Sequence, residues 1–168
     1  SSDLICTFLL GNNSKVTDAQ NTYNQAIADL GQNKADSIEL YTNAYSRLSG
    51  LKLSGDDKQL YNKLSVLASV SGKYDAYKSF SDSGYVTMAA DSLVCAAGRC
   101  AVNADNAKEY GCELQLEQLK NIISDTLSSQ YGLSYDDAIA LYNIDDRDDY
   151  TLALTQKLNE LGIKEETK

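Results

Sequence analysis

From residue 16 to the end, apolar positions recur three and four apart, the spacing of one face of an α-helix. Thr17 and Gln20 make a capping-box pair, and Ala19, Tyr23, Ala26, Ile27 and Leu30 follow on one stripe that Gly31 closes as a C′ residue. A second stripe, Ile38, Tyr41, Ala44, Tyr45 and Leu48, stops at Gly50. A third opens near Asp56 and Asp57, where acids suit the positive end of the helix dipole. It carries Leu60, Leu64, Leu67 and Ala68 and ends at Gly72. A short helix with Tyr74, Tyr77 and Phe80 then runs up to Ser83-Gly84.

Between Tyr85 and Tyr110 the pattern changes. Met88-Ala89-Ala90, Leu93 to Ala97 and Cys100-Ala101-Val102 are apolar on nearly every side, which marks a buried helix. Its small residues allow close approach, so the pattern predicts a central helix over about 86–109, bent at Gly98 or Asn103. After Gly111 a long helix carries Leu116, Leu119, Ile123 and Leu127 and ends at Tyr131-Gly132. Ser134 caps the next, with Ala138, Leu141 and Tyr142. The last begins around Asp145-Asp146 and bears Tyr150, Leu154, Leu158 and Leu161 before Gly162. The expected fold is all-α, an up-down array or bundle of seven or eight helices around the central one. A single helical domain spans 16–163, flanked by an N-terminal extension over 1–15 and a flexible tail over 164–168.

Composition narrows the chemistry more than the fold. The chain has 168 residues and no proline, histidine or tryptophan. Average usage would place roughly eight prolines in such a length, and their absence lets helices run uninterrupted. Without histidine there is no imidazole for Ser-His-Asp or Cys-His nucleophilic sites, nor for HExxH zinc sites or the Glu-x-x-His ligands of di-iron bundles. A net charge of −9, with 15 scattered basic residues, argues against nucleic acid and anionic membrane surfaces as partners. The apolar run Leu4–Leu10 falls short of the roughly 20 residues that span a bilayer, so no membrane insertion is expected. The opening Ser1-Ser2, a composition rich in Ser, Asn and Tyr and an even cysteine count point to a secreted or envelope-anchored, extracytoplasmic setting, with Leu4–Leu10 as the trailing edge of a signal or anchor.

Two stretches resemble the tetratricopeptide repeat. In the first, Leu60-Tyr61 and Leu64-Ser65 precede Gly72-Lys73-Tyr74, so an aromatic, a leucine, a small residue and a Gly-x-Tyr turn fall at the family's spacing. In the second, Tyr135, Ala138 and Tyr142 match the repeat's second helix. The resemblance implies helical hairpins that bind partners on a concave face.

The residues that could carry chemistry are few. Cys6, Cys95, Cys100 and Cys112 lie 89, 5 and 12 apart, which does not suit structural zinc. Cys95 and Cys100 on one helix are separated by about 500° of turn and about 7.5 Å of rise, which forbids a bridge. A Cys100–Cys112 disulfide is feasible if the chain reverses after Asn103, and Cys6 could tie the N-terminus to Cys95; as the alternative, Cys95 and Cys100 are small buried hydrophobes. The run Asp145-Asp146-Arg147-Asp148-Asp149 lacks the glycine and glutamate of an EF-hand and reads as the acidic first turn of the last helix. No glycine-rich phosphate loop is present, and neither metal nor cofactor is expected.

Twelve tyrosines stand against two phenylalanines. Tyrosine buries a large ring while its hydroxyl stays wet, which suits recognition surfaces. Tyr41 with Tyr45, and Tyr74 with Tyr77, fall one turn apart and would line such a face. The expectation is therefore a non-catalytic module that binds another protein or peptide in a tyrosine-lined groove. Two alternatives are a histidine-free carboxylate enzyme, such as a glycan hydrolase, and a small-ligand carrier.

Overall fold

The computed structural model describes Ser2–Lys164, with side chains from Asn13 onward. Cys6 and the residues after 164, where a disulfide partner and the rest of a tail were expected, lie outside the described side chains. The described residues are helical with no strand: α1 over Ser2–Gly31, a 3-10 turn over Ala35–Glu39, α2 over Leu40–Leu48, α3 over Gly55–Asp82, α4 over Val86–Val102, α5 over Ala104–Tyr110, α6 over Glu113–Tyr131, α7 over Tyr135–Tyr142 and α8 over Arg147–Glu160.

Three expected boundaries move. Helix α1 runs through Thr17 rather than starting there, because Gln20 reaches forward to Asn24 (2.9 Å) and caps nothing. Its end is turned by Asn33, which takes the left-handed conformation (φ 60°) in place of Gly31. Helix α3 continues through Gly72 to Asp82, so no turn forms at Gly72-Lys73-Tyr74, and Leu60 to Tyr74 lie in one continuous helix. Val70, Ser71, Tyr74 and Tyr77 are buried on both sides of that glycine, and their packing holds the helix through it.

The later helices fall where their spacing predicts. The predicted central helix is α4 and α5, divided at Asn103 (φ −98°, ψ 3°), whose side-chain amide donates to the Arg99 carbonyl at 2.8 Å. Ser134 and Asp146 cap α7 and α8, accepting from the backbone N–H of Asp137 (3.0 Å) and Asp149 (2.9 Å). Gly132 takes φ 62° to end α6, a conformation that costs glycine nothing.

Helix α4 sits at the centre. It packs most extensively on α3 and also touches α5, α6, α7 and α8. Ala89, Ala90, Ala96, Ala97 and Gly98 are buried along it, and the small side chains let its neighbours come close. At Gly98 the approach is closest: a β-carbon there would overlap the Tyr142 ring. Helices α1 and α2 pack on one another and on α3, away from α7 and α8.

Candidate functional site

Only two charged residues interrupt the apolar sequence of α4, Asp91 and Arg99. Arg99 is occupied, donating to Ser69 Oγ of α3 at 3.0 Å. Asp91 faces α8, where the Tyr150 hydroxyl donates to its Oδ1. One turn along α4, the Cys95 thiol points at the same oxygen at 3.9 Å. The i, i+4 spacing of Asp91 and Cys95 and the i, i+3 spacing of Arg147 and Tyr150 set these groups on facing stripes.

Between the stripes lies a cleft of about 350 Å³, lined by Asp91, Cys95, Arg147 and Tyr150 together with Lys73 of α3 and Asp145 before α8. Tyr142 and Ile144 supply its apolar wall. A second cavity of about 200 Å³ shares Asp91, Arg147 and Tyr150, and adds Met88 and Leu154. The two form one polar and one apolar lobe. Such dimensions fall at the lower end of small-molecule sites, roughly 300–1,000 Å³.

The electrostatics are mixed. Burial raises the Tyr150 pKa above the usual phenol range, and the bond to Asp91 raises it further. Burial also pushes the Cys95 thiol up, as does Asp91, against the opposing pull of Lys73, Arg99 and Arg147. Among the described residues, Lys73, Arg147 and Asp145 form no ion pair. Among the same residues, no three Cys, Asp or Glu side chains are grouped to hold a metal ion, and no helix is long and apolar enough to cross a membrane.

The tyrosine face expected as a groove is interior instead. Tyr41 is 0% exposed and Tyr74 and Tyr77 are each 7% exposed. Tyr41 packs against Tyr23 with ring centroids 6.1 Å apart, and Tyr74 lies 5.4 Å from Tyr77, which meets Tyr131 edge-on. Only Tyr45 stays partly open, its hydroxyl 3.2 Å from that of Tyr61. The correction has a simple cause: these rings lie on the same stripes as the buried leucines, and the stripes point into the bundle.

Of the two readings open for the cysteines, the disulfide is not formed: Cys100 and Cys112 are both free thiols. Cys112 precedes α6 and faces α3, 4.0 Å from the Lys63 carbonyl. Cys100 faces the opposite way, lining a cavity of about 150 Å³ with Lys120 and Tyr135, where burial lifts its pKa to about 12. They serve as small buried hydrophobes.

No known protein family, curated protein or solved structure matches the chain. The geometry of the cleft therefore carries the functional argument by itself. None of its residues was singled out for binding by the sequence, although a lone aspartate within the apolar α4 segment was the available signal.

Proposed function

We propose that the chain is a non-catalytic helical binding module and that the cleft between α4 and α8 takes a small ligand. One observation carries this reading: Lys73 of α3, Asp91 and Cys95 of α4, and Arg147 and Tyr150 of α8 converge on one cleft with an apolar lobe beside it. A few polar groups set against apolar walls are the usual makeup of a ligand site. The chemistry favours binding over catalysis. The half-buried Cys95 thiol and the Tyr150 hydroxyl are both held protonated, which makes each a poor nucleophile or base at neutral pH. The groove expected from Tyr41, Tyr45, Tyr74 and Tyr77 is less favoured, because three of the four rings are buried and Tyr45 alone is partly open.

A thermal-shift screen against a broad library of metabolites tests the reading. The control is Thr151→Trp, which fills the apolar lobe from an exposed position on α8. Ligands that raise the melting temperature of the wild type and leave Thr151→Trp unmoved support it. A library without hits, or hits that stabilise both proteins equally, would overturn it.

A further inference from the structure

The ligand class follows from the charges that line the cleft, and this inference rests on the binding reading above. Two cations, Lys73 and Arg147, and two carboxylates, Asp91 and Asp145, line the same 350 Å³. Neither cation closes an ion pair with either acid, although Lys73 is half-buried on α3. A plain anion would be drawn by Lys73 and Arg147 and repelled by Asp91 and Asp145. A plain cation meets the reverse. Only a ligand with both signs finds a partner for each end. Tyr150 fixes one pole, because its hydroxyl bond holds the Asp91 carboxylate in place on the wall common to both lobes.

The apolar lobe begins at that wall. Met88 and Leu154 line it, and the polar residues it shares with the larger cavity are Asp91, Arg147 and Tyr150. A substituent entering it would leave the molecule beside the charges that bind its polar end. We infer that the cleft binds a small zwitterion with an apolar substituent, of the chemistry of a free apolar α-amino acid. Lys73 and Arg147 receive the carboxylate, Asp91 receives the ammonium, and the side chain enters between Met88 and Leu154.

Calorimetric titration of the full chain with four probes tests this: L-leucine, N-acetyl-L-leucine, L-leucinamide and L-alanine. Leucine is expected to bind. The two blocked analogues, each lacking one charge, should bind at least about tenfold more weakly, the cost of leaving one charged hydrogen-bonding group unmatched. Alanine should also bind more weakly than leucine, since it leaves the apolar lobe unfilled. In Arg147→Met and in Lys73→Met, leucine should lose its advantage over leucinamide while keeping its advantage over N-acetyl-leucine. A merely structural role for either cation would not produce that split. Equal binding of leucine and either blocked analogue would overturn the zwitterion assignment and leave the cleft as a binding site for a single charge. If none of the four binds while the metabolite screen finds another class of ligand, the assignment likewise falls and the site stands. Silence from both the probes and the screen removes the site as well.

Discussion

Tyr41 and Tyr150 are the same side chain, each on the inward stripe of its helix, and they meet opposite environments. Around Tyr41, α1, α2 and α3 close completely: the ring is 0% exposed, packed beside Tyr23, and its hydroxyl finds no hydrogen-bond partner among the described residues. Around Tyr150, α4 and α8 meet over a short stretch only, and the hydroxyl is bound to a carboxylate at the edge of an open cleft. The difference lies in what faces each ring. Alanines and leucines come up to Tyr41's neighbours, whereas charged groups that keep contact with water line the space by Tyr150. A tyrosine stripe thus marks an inward face, and the residues opposite decide whether that face becomes core or site.

The largest effect that sharpens the contrast is truncation. Tyr41→Ala should lose about 3–5 kcal/mol, the usual cost of removing a fully buried aromatic ring. Tyr150→Ala should lose clearly less, because its ring borders a cleft. Urea unfolding of the two variants gives the comparison directly, and equal losses would break it.

Two glycines inside helices, Gly98 in α4 and Gly72 in α3, should respond with opposite sign. Gly98→Ala drives a methyl group into the Tyr142 ring and should destabilise by roughly 1–3 kcal/mol. Gly72→Ala meets only the Thr42 methyl at 3.6 Å, an ordinary contact, and should stabilise α3 by about 0.5–1 kcal/mol. The difference in urea midpoint between these variants reads out how closely α7 sits on α4.

Removing single hydroxyls is subtler. Tyr41→Phe deletes a buried group that has no partner among the described residues, so its stability should be unchanged or slightly higher. Tyr150→Phe leaves the half-buried Asp91 carboxylate with only the Cys95 thiol at 3.9 Å and should cost about 1–3 kcal/mol. Thermal melts of both, run beside the wild type, distinguish core from site by sign.

One effect appears only in alkali. Burial lifts the pKa of Tyr23 and of Tyr131 to about 12, above the value of about 10 in an unfolded chain. A raised pKa contributes stability that is fully present below pH 10 and is lost as pH rises toward 12. The urea midpoint should be insensitive to these groups between pH 7 and 9 and should fall above about pH 10. A midpoint that stays constant to pH 12 would contradict the burial of these rings.

Much of the fold was legible because it depends on local chemistry. Ser134 reads as a cap and is one, Asp146 lies at the predicted start of the last helix, and the stripe Leu116, Leu119, Ile123 and Leu127 is buried as its spacing predicts. In each failure another contact overrides the signal: tertiary packing at Gly72, and the Gln20–Asn24 hydrogen bond at the expected start of the first helix. Gly72 looks like a stop, but buried neighbours on both sides hold α3 together; Thr17 and Gln20 look like a start, but α1 runs through them. The cleft was less legible still. Asp91 and Tyr150 are 59 residues apart, Lys73 comes from a third helix, and no spacing rule links them. The tyrosines misled for the complementary reason: their number suggested a surface, while their register with the buried leucines already placed them inside.

The central claim is that recognition occurs between α4 and α8 and not on the tyrosine-bearing face of α2 and α3. Backbone amide shifts of the isotope-labelled chain during a leucine titration test it most directly. The account predicts saturable shifts that centre on Met88 to Cys95 and on Asp145 to Leu154 and that disappear in Thr151→Trp. Shifts centred on Tyr45 and Tyr61 would contradict it, as would no shift at any leucine concentration together with a metabolite screen that finds no ligand.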